Sequence, residues 1–120
     1  MRITDKLIDE HFEAINSILS YKYIKKYRVG FTAQPNKRAG QYKRWGFDYS
    51  VTLWSEMTQD EAWLFEEMLQ TRIEEDPNSI AFKKYYRKKG KRKIHRVRSS
   101  GGSTRHRHKR VHGVYFTWWV

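Results

Sequence analysis

Apolar residues recur at helical spacing near the start of the chain. Ile8, Phe12, Ile15 and Leu19 share one face, with Leu7, Ala14 and Ile18 beside it, which predicts an amphipathic helix. Thr4 stands where it can cap that helix, and Asp5, Asp9, Glu10 and Glu13 load its early turns with acid, where the helix dipole favours negative charge. The helix should end near Ser20 and cover a sheet. The period then changes: Tyr27, Val29 and Phe31 alternate with Arg28 and Gly30, the pattern of a strand. Tyr21 to Ile24 reads as a further short strand or as the start of one bent strand, because Lys25 and Lys26 form turns poorly. Pro35 suits a first helical turn, where its missing N–H would be unpaired anyway. That turn continues through Asn36, Lys37, Arg38 and Ala39 and should end around Trp45-Gly46. Phe47 to Trp54 alternates again, predicting a half-buried strand.

The clearest helix comes next. Thr58 and Glu61 fit a capping box, Leu64, Phe65, Met68, Leu69 and Ile73 form the expected buried stripe, and Ala62 permits close packing. It should run to about Glu75, since Pro77 forbids easy continuation. Phe82, Tyr85 and Tyr86 interleave with Lys83, Lys84 and Arg87, consistent with a short helix. Val111 to Val120, VHGVYFTWWV, is aromatic and β-branched, and a solvated tail would not need it. The expected fold is therefore one α+β domain over residues 1–120, with a small central antiparallel β-sheet flanked by helices. A C-terminal strand returns to the sheet after an excursion through residues 83–112.

Charge distribution sharpens this picture. The net charge is +12, yet all 13 acidic residues lie at or before Asp76. Between Lys83 and His112 there are 14 Lys and Arg, four His and no acid. Such density points to an acidic polymer, and backbone phosphate rewards clustered Lys and Arg. Lys91, Arg92, Lys93, Arg96, Arg98, Arg105, Arg107, Lys109 and Arg110 are the expected phosphate contacts, positioning nucleic acid while encoding little sequence preference. The segment reads as a basic hairpin tipped by Ser99-Ser100-Gly101-Gly102-Ser103, with a disordered arm as the competing reading. His95, His106, His108 and His112 sit among these cations. With no Cys in the chain, phosphate contact suits them better than a zinc site. Met1 to Glu10 is not an apolar signal segment, and no run is apolar enough to span a bilayer. An intracellular location, cytoplasm or nucleus/nucleoid, is expected, with no membrane partner.

Tyr27-Arg28-Val29-Gly30-Phe31-Thr32 followed by Pro35-Asn36-Lys37-Arg38 resembles the second strand and the Arg-bearing helix of the GIY-YIG nuclease superfamily, nearest its structure-specific resolvase branch. Ala62-Trp63-Leu64-Phe65-Glu66, ending Leu69-Gln70, resembles the helix on which that family places its metal-binding Glu. The resemblance covers roughly residues 21–80. The family's first motif, Gly-aliphatic-Tyr, is missing upstream, where Ser20-Tyr21-Lys22-Tyr23 stands. Gly113-Val114-Tyr115 appears at the other end instead. Either the domain is circularly permuted and its last strand supplies that motif, or Tyr21 or Tyr23 takes the place, or the site is incomplete and the protein only binds.

The resemblance implies a DNA endonuclease hydrolysing phosphodiester bonds with one divalent ion, Mg2+ or Mn2+, held by Glu66. Tyr27 or Tyr115 would act as general base, Arg38 would neutralise the phosphate, and Tyr42 would supply a further site hydroxyl. Asn78 resembles a polar site residue of some relatives. Each has a plainer role available: a solvated strand phenol for Tyr27, a surface cation for Arg38, a structural ion pair with Arg38 for Glu66, a packing residue for Gly30 and a turn residue for Asn78. Three partner readings compete. The first is DNA cleavage, the second non-catalytic nucleic-acid binding on a nuclease-like scaffold, and the third ribosomal or other RNA binding; DNA is favoured over RNA. A single site breaks one strand at a time, so double-strand cleavage would imply a homodimer or two successive events.

Overall fold

The computed structural model describes residues 2–33, 49–87 and 108–120. The expected helix after Pro35, with Arg38 and Tyr42, lies outside them, as do the expected phosphate contacts from Lys91 to Arg107. Among the described residues the elements run α1 (Asp5–Leu19), β1 (Lys26–Thr32), β2 (Tyr49–Met57), α2 (Gln59–Glu74), α3 (Ile80–Lys84) and β3 (His112–Trp119). The architecture is α+β, with a three-stranded antiparallel sheet in the order β1-β3-β2. The last strand of the chain is thus the middle strand of the sheet. β3 is buried along most of its length, which explains its aromatic and β-branched run.

Alternation sorts the sheet into two faces. Tyr27, Val29 and Phe31 pair with Trp118, Phe116 and Val114 and project toward the helices. There they join Ile8, Phe12, Ile15 and Leu19 of α1 and Phe65, Leu69 and Ile73 of α2 in one core. Arg28, Gly30 and Thr32 pair with Thr117, Tyr115 and Gly113 and share the opposite face. β2 pairs with β3 through Ser50 and Thr52, then shifts register near Trp54. Glu56 adopts a φ of 57° in that irregular stretch. β2 is consequently exposed along most of its length, against the half-buried alternation expected for it.

The helices begin where local chemistry dictates. Thr4 caps α1 by accepting a hydrogen bond from Leu7 N (3.2 Å). At α2 the capping box is complete: Thr58 Oγ1 accepts from Glu61 N (3.3 Å) and Glu61 Oε1 accepts from Thr58 N (3.0 Å). The Thr58 amide is the main reason the Glu61 carboxyl titrates low, at about 2. Thr58→Ala should lower stability by about 1 kcal/mol, read as a shift of the urea midpoint without change of slope.

Two expectations are corrected. Tyr21 to Ile24 is a turn and not a strand, because Tyr21 N and Ile24 N donate to Ile18 O and Tyr21 O (3.2 and 3.1 Å) and prolong the helical curl. The buried face of α2 consists of Ala62, Phe65, Glu66, Leu69, Gln70 and Ile73, while Leu64 is exposed. The helix is rolled from the expected stripe, toward the sheet edge where Glu66 and Gln70 find polar partners. The packed chain also extends further into the basic region than composition suggests. Lys84 Nζ donates to Leu19 O (2.7 Å), and Arg87 donates to Phe82 O (2.8 Å) with its guanidinium over the Phe82 ring.

Candidate active site

Polar side chains converge on the outer edge of β1. Tyr86 N donates to Tyr27 O (2.8 Å), continuing the sheet by a single parallel bridge at Tyr85. The Tyr85 phenol lies against the next unpaired peptide: it donates to Val29 O (3.3 Å) and accepts from Val29 N (3.4 Å). Gln70 Nε2 then donates both to Tyr85 Oη (3.2 Å) and to Glu66 Oε1 (3.3 Å). Glu66 and Gln70 are one helical turn apart, which is why α2 can present both to one strand. Glu66 also accepts from the Phe31 backbone amide. The edge of β1 is thus closed by a carboxyl, a carboxamide and a phenol instead of another strand.

Glu66 is the unusual member. It is 4 % exposed, and its Oε2 has no hydrogen-bond partner among the described residues. Burial pushes its pKa up to about 8; the Arg28 guanidinium and the bonds from Gln70 and Phe31 pull the other way without winning. Burial likewise raises Tyr85 far above the ordinary tyrosine value, with Arg28 among the groups opposing it. Arg28 therefore feels both groups from its position beside the edge. A buried carboxyl with a strongly shifted pKa and one idle oxygen is what functional sites often contain.

Of the residues expected from sequence, the structure brings Glu66 and Tyr115 toward the same short stretch of backbone. Tyr115 is buried on the face opposite the helices, and its phenol lies directly over Gly30. Glu66 reaches Phe31, the next residue, from the edge. Tyr27 is placed differently from the solvated strand phenol considered above. It is fully buried, its hydroxyl donates to Ala81 O (2.6 Å), and its ring packs edge-on against Tyr85 (4.9 Å) and near Phe116 (5.3 Å). Burial, and then the neighbouring Tyr85, hold its pKa well above the ordinary value. Its proton is committed to a core carbonyl, so it is a packing residue and not a base. His112, too, is wholly buried rather than set among phosphate ligands. Its Nδ1 faces the carbonyls of Met57 and Lys109, both at 3.3 Å. Lys109 is exposed, and Arg110 donates to Glu61 Oε1 (3.2 Å), tying the end of the basic segment to the start of α2. Asn78 is an exposed turn residue.

Sequence reasoning did not single out Arg28, Gln70 or Tyr85 for this site. Tyr85 is distant in sequence and sits in a basic run that reads as surface. Gln70 alone carried a usable signal, a polar residue one turn after Glu66 on the inner side of the helix.

Could the residues present hold a divalent ion? Among the described residues no group of three or more His, Asp and Glu could do so. The idle Glu66 Oε2 fits one oxygen ligand, with water and phosphate oxygens completing a hard shell. Such binding must displace the proton that burial retains, so it should strengthen as pH rises toward 8 and release a proton. Comparison with protein-family models, with curated proteins and with solved structures finds no match. The chemistry of these groups therefore carries the functional reading.

Proposed function

We propose that this chain is a small DNA endonuclease of GIY-YIG-like character, hydrolysing phosphodiester bonds at the edge of β1. The observation that carries the reading is the buried Glu66 carboxyl, with its unpartnered oxygen, facing the peptide beside the Gly30–Tyr115 contact. Phosphodiester cleavage requires that a water lose a proton and that charge on the phosphoryl oxygens be met. A bound Mg2+ or Mn2+ would supply Lewis acidity and lower the pKa of the attacking water. Glu66 is the residue that would hold it. Arg28, whose charge acts on both Glu66 and Tyr85, would meet the phosphate, with Arg38 as the second donor implied by the resemblance; the planar fork suits an oxyanion. Tyr115 would move the proton, because its phenol lies over Gly30, next to the peptide that Glu66 reaches. The middle position of β3, with Gly113-Val114-Tyr115 paired to β1, supports a permuted first motif.

The basic segment would hold the DNA backbone, so affinity should fall steeply with salt. No helix among the described residues is long and apolar enough to cross a membrane. A non-catalytic binding protein is the second reading, favoured by one observation: Glu66 is buried, which pushes its pKa up to about 8 and opposes the ionised form a metal needs. Nicking of plasmid, branched and single-stranded DNA with Mg2+ or Mn2+ separates the two. We expect cleavage by the wild type and none by Glu66→Ala, with DNA binding retained. Binding without any cleavage by the wild type would leave the second reading standing.

A further inference from the structure

The described surface carries exposed aromatic rings on segments that contain no Asp or Glu. Tyr21 and Tyr23, in the turn after α1, are 57 % and 53 % exposed. Their rings meet edge to face at 5.3 Å, and Lys22 Nζ lies 5.0 Å from the Tyr23 ring centre. The turn is anchored at both ends. Lys84 Nζ donates to Leu19 O and Tyr21 O (2.7 and 3.3 Å), and Lys25 N donates to Trp119 O (3.0 Å). Beyond that anchor, Tyr86 and Trp119 lie 5.6 Å apart, and Trp119 packs in turn against Tyr115. Lys26 is the strand partner of Trp119. No Asp or Glu occurs between Glu13 and Asp48, or anywhere after Asp76, so all three segments forming this surface lack side-chain acid.

Rings held at this exposure contribute little to the core, yet the backbone presenting them is pinned. Rings interleaved with lysines match single-stranded nucleic acid, whose bases offer π-faces and whose phosphates need cations. A duplex hides its base faces and offers only the phosphates. The succession of Tyr86, Trp119 and Tyr115 also leads from the surface to the Gly30–Tyr115 contact at the candidate site.

We propose that Tyr21 and Tyr23, together with Tyr86 and Trp119, form a stacking platform for an unpaired strand, so that this protein engages nucleic acid carrying a single-stranded region. The inference rests on the nucleic-acid part of the functional reading and is independent of catalysis. It is tested by titrating the full chain, in EDTA, with fluorescein-labelled oligo(dT) and with a duplex of equal phosphate count. The double variant Tyr21→Ala/Tyr23→Ala should lose about 20-fold or more in affinity for oligo(dT). Its duplex affinity and melting temperature should stay unchanged, because the rings are exposed. Tyr21→Phe/Tyr23→Phe should bind as the wild type does, since stacking needs the ring and not the hydroxyl. Wild-type affinity of the alanine pair for oligo(dT), or an equal loss on duplex, would overturn the platform while leaving the nuclease reading intact. Failure of the wild type to bind either probe would overturn both.

Discussion

Gly30→Ala is expected to destabilise the protein by about 3 kcal/mol, at the upper end of what an overpacked core costs. Alanine normally suits a strand better than glycine, by roughly 0.5–1 kcal/mol, so the sign is decided by what the new methyl group meets. Here it meets the Tyr115 phenol. An added Cβ would overlap the hydroxyl and Cζ and stand 3.0 Å from Cε1. The obstacle is a rigid ring on the central strand, with Trp119 packed beside it, so it cannot swing away as a long aliphatic chain could. Gly30→Ala should therefore lower the urea midpoint markedly, and Gly30→Ala/Tyr115→Ala should recover much of the loss. That recovery would appear as a favourable coupling in a double-mutant cycle. Additive effects, or a Gly30→Ala change within about 0.5 kcal/mol, the range of ordinary surface substitutions, would mean the ring does not rest on Gly30. Because ring and methyl group cannot both keep their places, the same substitution should also abolish the proposed cleavage without weakening duplex binding.

Glu66→Gln is expected to move stability and activity in opposite directions. The wild-type carboxyl titrates near 8 in the folded protein because of its burial, against an ordinary value of 4.5. A folded-state pKa raised above the unfolded one means that the protonated form fits the fold. The contribution is fully present below about 4.5, erodes as pH rises, and is gone above about 8; the stability curve must fall across that window. Glutamine mimics the protonated acid: its Oε1 can still accept from Gln70 and Phe31, and it cannot ionise. The two proteins should be equally stable near pH 4.5. At pH 9 the variant should be the more stable, by an amount on the order of a few kcal/mol. The difference between wild-type and variant denaturation midpoints, followed against pH, isolates this group from all other titrations. A flat difference would show that Glu66 is solvated and ionised throughout. The proposed cleavage should vanish in the variant, because a neutral carboxamide lacks the carboxylate charge through which Mg2+ is held. Greater stability with lost activity is the expected signature of a side chain kept for chemistry rather than for folding.

Much of this architecture was legible in local sequence. The boundaries of α1 and α2 follow from Thr4, Thr58 and Glu61, whose side chains close hydrogen bonds with amides a few residues away. β1 followed from the alternation of Tyr27, Val29 and Phe31. The return of the C-terminal strand followed from a run of apolar residues that water would not tolerate. What local pattern could not convey was rotation and direction. The stripe read from hydrophobicity, Leu64, Phe65, Met68, Leu69 and Ile73, holds at Phe65, Leu69 and Ile73, whereas Leu64 is exposed and the helix turns Glu66 and Gln70 inward toward unpaired peptide groups of β1 and the Tyr85 phenol. Tyr27 read as a candidate base or, more plainly, a solvated strand phenol, and only the fold shows α3 bringing the Ala81 carbonyl to its buried hydroxyl.

The amino-acid sequence by itself determined which segments coil and which extend, that acid is confined to the first part of the chain, and that the last strand must be buried. Each of those properties depends on spacing and composition within a few turns. The tertiary structure alone decided which polar groups meet: that Glu66 loses water and faces an edge peptide, that Tyr85 and Arg28 join it, and that Tyr115 rests on Gly30. Those encounters bring together residues tens of positions apart. They depend on how strands pair and helices roll to bury apolar surface, and desolvation, which sets the pKa of Glu66, exists only once that surface has closed.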